Sequence, residues 1–362
     1  MKVRLTILDG MRGSAALFVV LMHLFECNFP DLTDNPLHHA FLGVDFFFML
    51  SGFVIGYAYD SRWSWSWTIK DFFRVRLIRL HPLVLLGVII GALGYWFDPF
   101  VGNAQQVTGL RLLFGIFFGL LLIPTPALPN RYDETHSLNG PHWTLLQEYL
   151  ANIVYGVIAR KLSRTGLIII TAVAAVVLLV VAVEVGQIFL GWGASNFWMA
   201  PVRTAFPFFM GLLLFRINAR IKIPMAYPLL TLLLLFVFML PVFSNLTFNG
   251  VYEALVVIIV FPFIIVAGAG SDIDAYTKKL CDFCGRISYP IYITHYPFIY
   301  IYAHWVAERH PSSQQTLLVG VGLLVWFIVL AYIAVRFYDE PVRAWLRGRY
   351  EKKGEGLRIK DV

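Results

Sequence analysis

Charge is scarce in this sequence. Only 14% of its 362 residues are Asp, Glu, Lys or Arg, against 59% hydrophobic. That balance excludes a soluble globular domain of this length and fits a polytopic membrane protein. Cysteine is scarcer still, with three in the chain. Cys281 and Cys284 form a lone C-x-x-C in a basic loop, without the further ligands that zinc requires, so no metal is expected. Cys27 reads as a packing residue. No long polar stretch offers a second domain, and the absence of repeats disfavours inverted-repeat transporters. The first apolar run carries ions and lacks a small-residue cleavage site, so no cleavable signal is expected. The excess of 29 basic over 22 acidic residues lies in short connections between apolar runs. Its place there argues against nucleic acid and for a lipid bilayer as partner.

What is present is a series of apolar runs, at about 11–27, 40–58, 82–97, 108–124, 143–160, 166–190, 201–215, 224–243, 251–269, 287–306 and 316–338. A spanning helix needs roughly 20 mostly apolar residues. Basic residues orient the runs. Lys2, Arg4 and Arg12 place the N-terminus inside, and Lys70, Arg74, Arg76 and Arg79 place the second connection there too. Arg160, Lys161 and Arg164, then Arg216, Arg220 and Lys222, then Lys278, Lys279 and Arg286 mark further inside loops. The tail, with Arg343, Arg347, Arg349, Lys352 and Lys353, is inside as well. Three runs lie between the inside loops near Arg79 and Arg160, and an odd number cannot join two inside ends. The weakest is 108–124, short, interrupted by Gly109, Gly115 and Gly119, and carrying Arg111. It is read as non-crossing, which buried backbone permits. The expected fold is all-α: a polytopic membrane helix bundle of about ten transmembrane helices, plus one re-entrant or interfacial segment, with both termini cytoplasmic. Residues 1–342 form the membrane domain and 343–362 a short basic tail.

Ionisable groups inside a bilayer are costly and usually functional. Arg12 and His23 lie on one face of the first run, about 16 Å apart. An arginine at the inner mouth suits phosphate oxygens, and histidine is the most frequent general base. The bland alternative is a snorkelling arginine and a histidine satisfied inside the bundle. In the second run, GVDFFFMLSGF, Asp45 lies near the expected depth of His23 and could orient its imidazole; capping the helix start or pairing with a surface basic residue is the alternative. Ser51, Gly52 and Gly56 form a small-residue face. In RVRLIRLHP, Arg76 and Arg79 share a helical face. Basic flanks are common, yet an all-arginine choice favours a specific phosphate site.

These stretches resemble the acyltransferase 3 family of bacterial integral membrane proteins. The resemblance rests on six motifs in order: Arg12 to His23 with LDGMRG, GVDFFFMLSGF, RVRLIRLHP, HWTLLQEYL (His142 to Leu150, with Thr144 where serine is usual), ISYPIYITH (Ile287 to His295) and FYDEP. It implies a ten-helix core and transfer of acyl groups, usually acetyl, to sugars and other envelope or secreted molecules. It puts the essential histidine on His23, its partner arginine on Arg12, and donor-binding arginines on Arg76 and Arg79. Some relatives carry an added esterase-like domain; with this chain stopping at Val362, help outside is expected from its own loops or another protein.

Ser51, Trp143, Glu148, Tyr289, His295 and Glu340 are the remaining candidates, as acceptor-binding or supporting residues. Glu148 is placed near the depth of Asp45, and Glu340 at the inner end of the last span, where Arg79 is a plausible partner. The expectation is an O-acyltransferase of the bacterial cytoplasmic (inner) membrane, with acyl-CoA, acetyl-CoA above all, as donor substrate and no permanently bound cofactor. A hydroxyl of a glycan or glycolipid is the acceptor. A proton-coupled transporter is the rival, because buried Asp, Glu and His also make proton relays; a haem protein is a third option. The acyl chain, the acceptor hydroxyl and the oligomeric state are not written in these motifs.

Overall fold

The computed structural model describes residues 5–29, 31–63, 67–101, 107–158 and 161–351. Lys2, Arg4, Arg160, Lys352 and Lys353, used above for orientation, lie outside the described residues. Among the described residues there are fourteen α-helices and no strand. In chain order they are α1 (Thr6–Glu26), α2 (Gly43–Tyr59), α3 (Ile69–Trp96), α4 (Gly109–Leu120), α5 (His142–Ile158), α6 (Arg164–Val185) and α7 (Ala200–Arg216). There follow α8 (Ala226–Met239), α9 (Leu246–Leu255), α10 (Phe261–Gly270), α11 (Ala275–Thr294), α12 (Tyr296–Arg309), α13 (Ser313–Ile333) and α14 (Glu340–Glu351). π-helical turns at Val256–Val260 and Ala334–Asp339 carry α9 into α10 and α13 into α14.

Among the described residues, seven helical segments are long and apolar enough to cross a membrane, with α4 and α8 as shorter apolar helices. The protein is a polytopic helical bundle. At 1.5 Å per residue, the twelve residues of α4 reach about 18 Å, well short of the roughly 30 Å hydrocarbon layer. The expected odd segment is thus a short helix that turns back into the connection 121–141.

Two expectations are corrected. The run at 287–306 is not one helix. Asp274 caps α11 early, its carboxylate accepting from the backbone N–H of Tyr276 at 2.9 Å and of Thr277 at 3.0 Å. The helix then breaks at His295, because Pro297 has no N–H for the carbonyl of Ile293; Asn139 Nδ2 donates to that carbonyl instead, at 2.7 Å. The early start of α11 also places Cys281 and Cys284 on the buried face of a helix, not in a loop. They face α1, where a Cβ on Gly10 would meet Cys281 Sγ at 2.5 Å and one on Gly13 would meet Cys284 at 2.5 Å.

Small residues set the other close approach. A Cβ on Gly52 of α2 would lie 1.9 Å from the Phe208 carbonyl oxygen of α7, and one on Gly211 would lie 2.0 Å from that of Met49. In a bilayer, where helix association has no help from water exclusion, such approach supplies the packing.

The two ends of the bundle differ. At one end Arg216 donates to Asp60 at 2.7 Å and to the Leu162 carbonyl at 2.8 Å, joining the connections that follow α2, α5 and α7. Lys222 and Asp272 pair at the same basic end. At the opposite end the connections 121–141 and 186–199 interlock, with Thr135 N–H donating to Trp192 O at 3.1 Å and Ala194 N–H to Asp133 O at 2.8 Å.

Candidate active site

α1 passes through two polar zones. Near the basic end lies a cavity of about 720 Å³. Of the residues singled out in the sequence, Arg12, Ser51, Arg76, Arg79, Glu148, Tyr289 and Glu340 line it. His23, Asp45, Trp143 and His295 do not. Arg12 is held against α11, its Nε donating to Ser288 Oγ at 2.9 Å and an Nη to the Gly285 carbonyl at 3.2 Å, with Asp9 at 3.0 Å. Arg76 pairs with Glu148, which also accepts from Ser51 Oγ at 2.5 Å. Arg79 differs from both: among the described residues no hydrogen-bond or ion-pair partner meets it, and it faces the cavity.

Two cavity assignments change. Glu148 meets Arg76 and also Ser51, which lies six residues beyond Asp45 on α2, so it does not stand at the depth of Asp45. Glu340 pairs with Arg286, at 2.7 and 3.0 Å, and not with Arg79. The π turn at Ala334–Asp339 is the cause, because its extra residue rotates every later side chain on that helix. Asp339 is the carboxylate buried there, 2.5 Å from Arg343.

Toward the other end the cavity is closed by Phe47 and Tyr292, whose rings meet edge-to-face at 5.5 Å. Thr144 Oγ1 donates to the Pro141 carbonyl at 2.8 Å and stands 3.1 Å from the Tyr292 hydroxyl. The Tyr292 ring in turn lies 6.2 Å from the ring of His295. Beyond this partition is the second zone. His23 Nδ1 is 2.7 Å from Glu26 Oε2, one turn on along α1. Its ring stacks on His295 at 5.5 Å and meets the edge of Tyr296 at 4.8 Å. His295 Nδ1 lies 2.9 Å from the Ile291 carbonyl, an acceptor only, so that nitrogen carries the proton. The buried Nε2 is left without a partner among the described residues.

Asp45 does not orient His23. Its carboxylate takes Arg203 of α7 in a fork, at 2.6 and 3.2 Å, with both side chains buried. The Arg203 guanidinium lies 5.4 Å from the ring of Trp143, which therefore supports this pair. Removing one partner of such a pair leaves a bare buried charge at a cost of about 3–5 kcal/mol, so the role visible for Asp45 is structural. Arg203 was not singled out, although an arginine within an apolar run carries the same signal that exposed Arg12. Glu26 was also passed over, although its i+3 spacing from His23 was legible.

The chain matches the acyltransferase domain family over residues 5–336. It belongs to the acyltransferase 3 family. A curated relative, "Protein 2 in picA locus" of Rhizobium radiobacter, is 32% identical over 195 residues, covering 50% of this chain and 96% of the relative. No solved structure matches the chain. The family match and the seven apolar helices together make the protein a membrane acyltransferase.

Proposed function

We propose that this acyltransferase moves an acetyl or other small acyl group from acyl-CoA to a hydroxyl of an envelope glycan or glycolipid. In this reading the basic end faces the cytoplasm of the inner membrane. The donor's phosphates enter the arginine cavity, and the acceptor arrives from the opposite end. The observation that carries the proposal is on α1: Arg12 walls a 720 Å³ cavity that holds an unpaired Arg79, while His23 with its carboxylate lies about 16 Å further along. A long donor with a polyanionic head and a thin thioester arm suits that separation. The family match favours this enzyme over the proton-coupled carrier.

The chemistry requires no resident cofactor, since a thioester is already activated. With Glu26 accepting at Nδ1, His23 Nε2 is the basic nitrogen. It takes the acceptor's hydroxyl proton as the oxygen attacks the thioester carbonyl carbon. The tetrahedral intermediate collapses with loss of the C–S bond, and the imidazolium returns the proton to the departing thiolate. Thr144 and Tyr292 stand at the partition this arm has to pass.

The test is thiol release from acetyl-CoA by the full chain in native membrane vesicles, alongside acetyl-CoA binding by the purified protein. His23→Ala should bind donor normally and lose release by about 10²–10⁴-fold. Release at the parent rate in folded protein would overturn the assignment of the base.

A further inference from the structure

Glu26 fixes one nitrogen of His23 but leaves the plane of the ring free to swing. Two neighbours limit that swing. His295 is tied to its own helix through Ile291. Tyr296, the first residue of α12, stands just past the break. Its hydroxyl is anchored elsewhere: it donates to Glu134 Oε1 at 2.9 Å, and the Tyr300 hydroxyl donates to the other oxygen, Oε2. Tyr296 and Tyr300 are four residues apart, on one face of α12, so a single carboxylate clamps both.

The clamp is built, not incidental. Glu134 is buried, and its main chain is tied in the connection 121–141, with its N–H donating to Arg131 O at 3.3 Å and its carbonyl accepting from Ser137 Oγ at 3.0 Å. The Arg131 guanidinium lies 4.1 Å from the ring of Tyr300 and 4.7 Å from that of Tyr95. Gly140 leaves the space: a Cβ there would come within 2.6 Å of the Tyr296 ring and 3.2 Å of Glu134 Oε1. No other part of the proposed mechanism uses this buried carboxylate.

We infer that Glu134 and Tyr296 are a positioning pair for the imidazole of His23, through which the connection between α4 and α5 sets the angle of the base. The inference rests on the assignment of His23 above. A swing of the ring that moves Nε2 by about 1 Å is worth up to 10²-fold in rate, with no change in donor affinity, because the pair lies across the Phe47–Tyr292 partition from the cavity.

The test uses the full chain in native membrane vesicles with acetyl-CoA. Tyr296→Phe, which keeps the ring and loses the anchor, should lower the maximal rate of thiol release by about ten-fold or more, with acetyl-CoA binding unchanged. Glu134→Ala should reproduce that loss, and Glu134→Gln should restore most of the rate, because an amide of the same shape can accept from one hydroxyl and donate to the other. A purely structural role would show as loss of folded protein and of binding together. Full activity in Tyr296→Phe with His23→Ala inactive overturns the pair alone. Full activity in both overturns the base and the pair with it.

Discussion

Around Arg12 the bundle encloses about 720 Å³ and leaves the Arg79 guanidinium unpaired, whereas around His23 the side chains are packed and tied by short hydrogen bonds. Under the proposed function, the difference follows from what each zone would have to do. A cationic cavity whose charges were all internally paired would gain little from an anion, since each new contact would break an old one. Here Arg76 is paired and, among the described residues, Arg79 is not, which is the arrangement a proposed anion site requires. A base needs the reverse: a fixed ring, with one nitrogen occupied and one open. Space serves the first zone and constraint the second.

The largest expected effect would come from the buried Asp45–Arg203 pair. Asp45→Ala strands the buried Arg203 and should cost about 3–5 kcal/mol, read as a collapse of the thermal midpoint in detergent. A mild effect on stability with a large one on turnover would return Asp45 to the active zone. Next comes Glu134, on a connection outside the spanning helices. Burial pushes its carboxyl from 4.5 up to about 7, against the opposing hydrogen bonds of Tyr300 and Tyr296 and the charge of Arg131. With the folded value raised, stability from this group is fully present below 4.5 and is lost as pH rises toward 7. Relative to the parent, Glu134→Gln should therefore gain stability across that interval and level off above it, by an amount on the order of 3 kcal/mol. A flat difference across pH would mean that the carboxylate is not desolvated.

Smaller effects test each zone by itself. Glu26→Gln should reduce maximal turnover by roughly ten-fold, since the half-exposed Glu26 acts on one nitrogen of a ring that Tyr296 and His295 still confine. Loss equal to that of His23→Ala would make Glu26 part of the reacting centre. Arg79→Lys keeps the charge and loses the planar fork. Donor affinity should fall about ten-fold, the worth of one charge-assisted hydrogen bond, with the maximal rate unchanged. Unaltered titration of acetyl-CoA would move the anion site away from Arg79.

Much of this was legible in the chain. Arg12 and His23 were found from the cost of ionised groups in an apolar run. Arg76 and Arg79 were placed on one face by their spacing, and both line the cavity. The failures have separate causes. Asp45 was assigned to His23 by estimated depth, but depth does not say which helix is adjacent, and α2 lies against α7 through Gly52 and Gly211. Glu340 was matched with Arg79 by its place at the inner end of the last span, but end position does not say which arginine is adjacent, and Arg286 meets it. Glu134 carried no signal at all, because it sits among Arg131, Asp133 and His136 in a polar connection where a carboxylate is ordinary.

The amino-acid sequence by itself determined the solvent of the fold, the positions of its apolar runs, and which residues can hold charge or move a proton. Those properties depend on local composition and on a helical period. Only the tertiary structure decided which charges meet across helices: Asp45 with Arg203, Glu148 with Arg76 and, through Tyr296, His23 with Glu134. Electrostatic and hydrogen-bonded partners are chosen by contact distance across separate helices, and glycine seams, a proline break and a π turn set those distances.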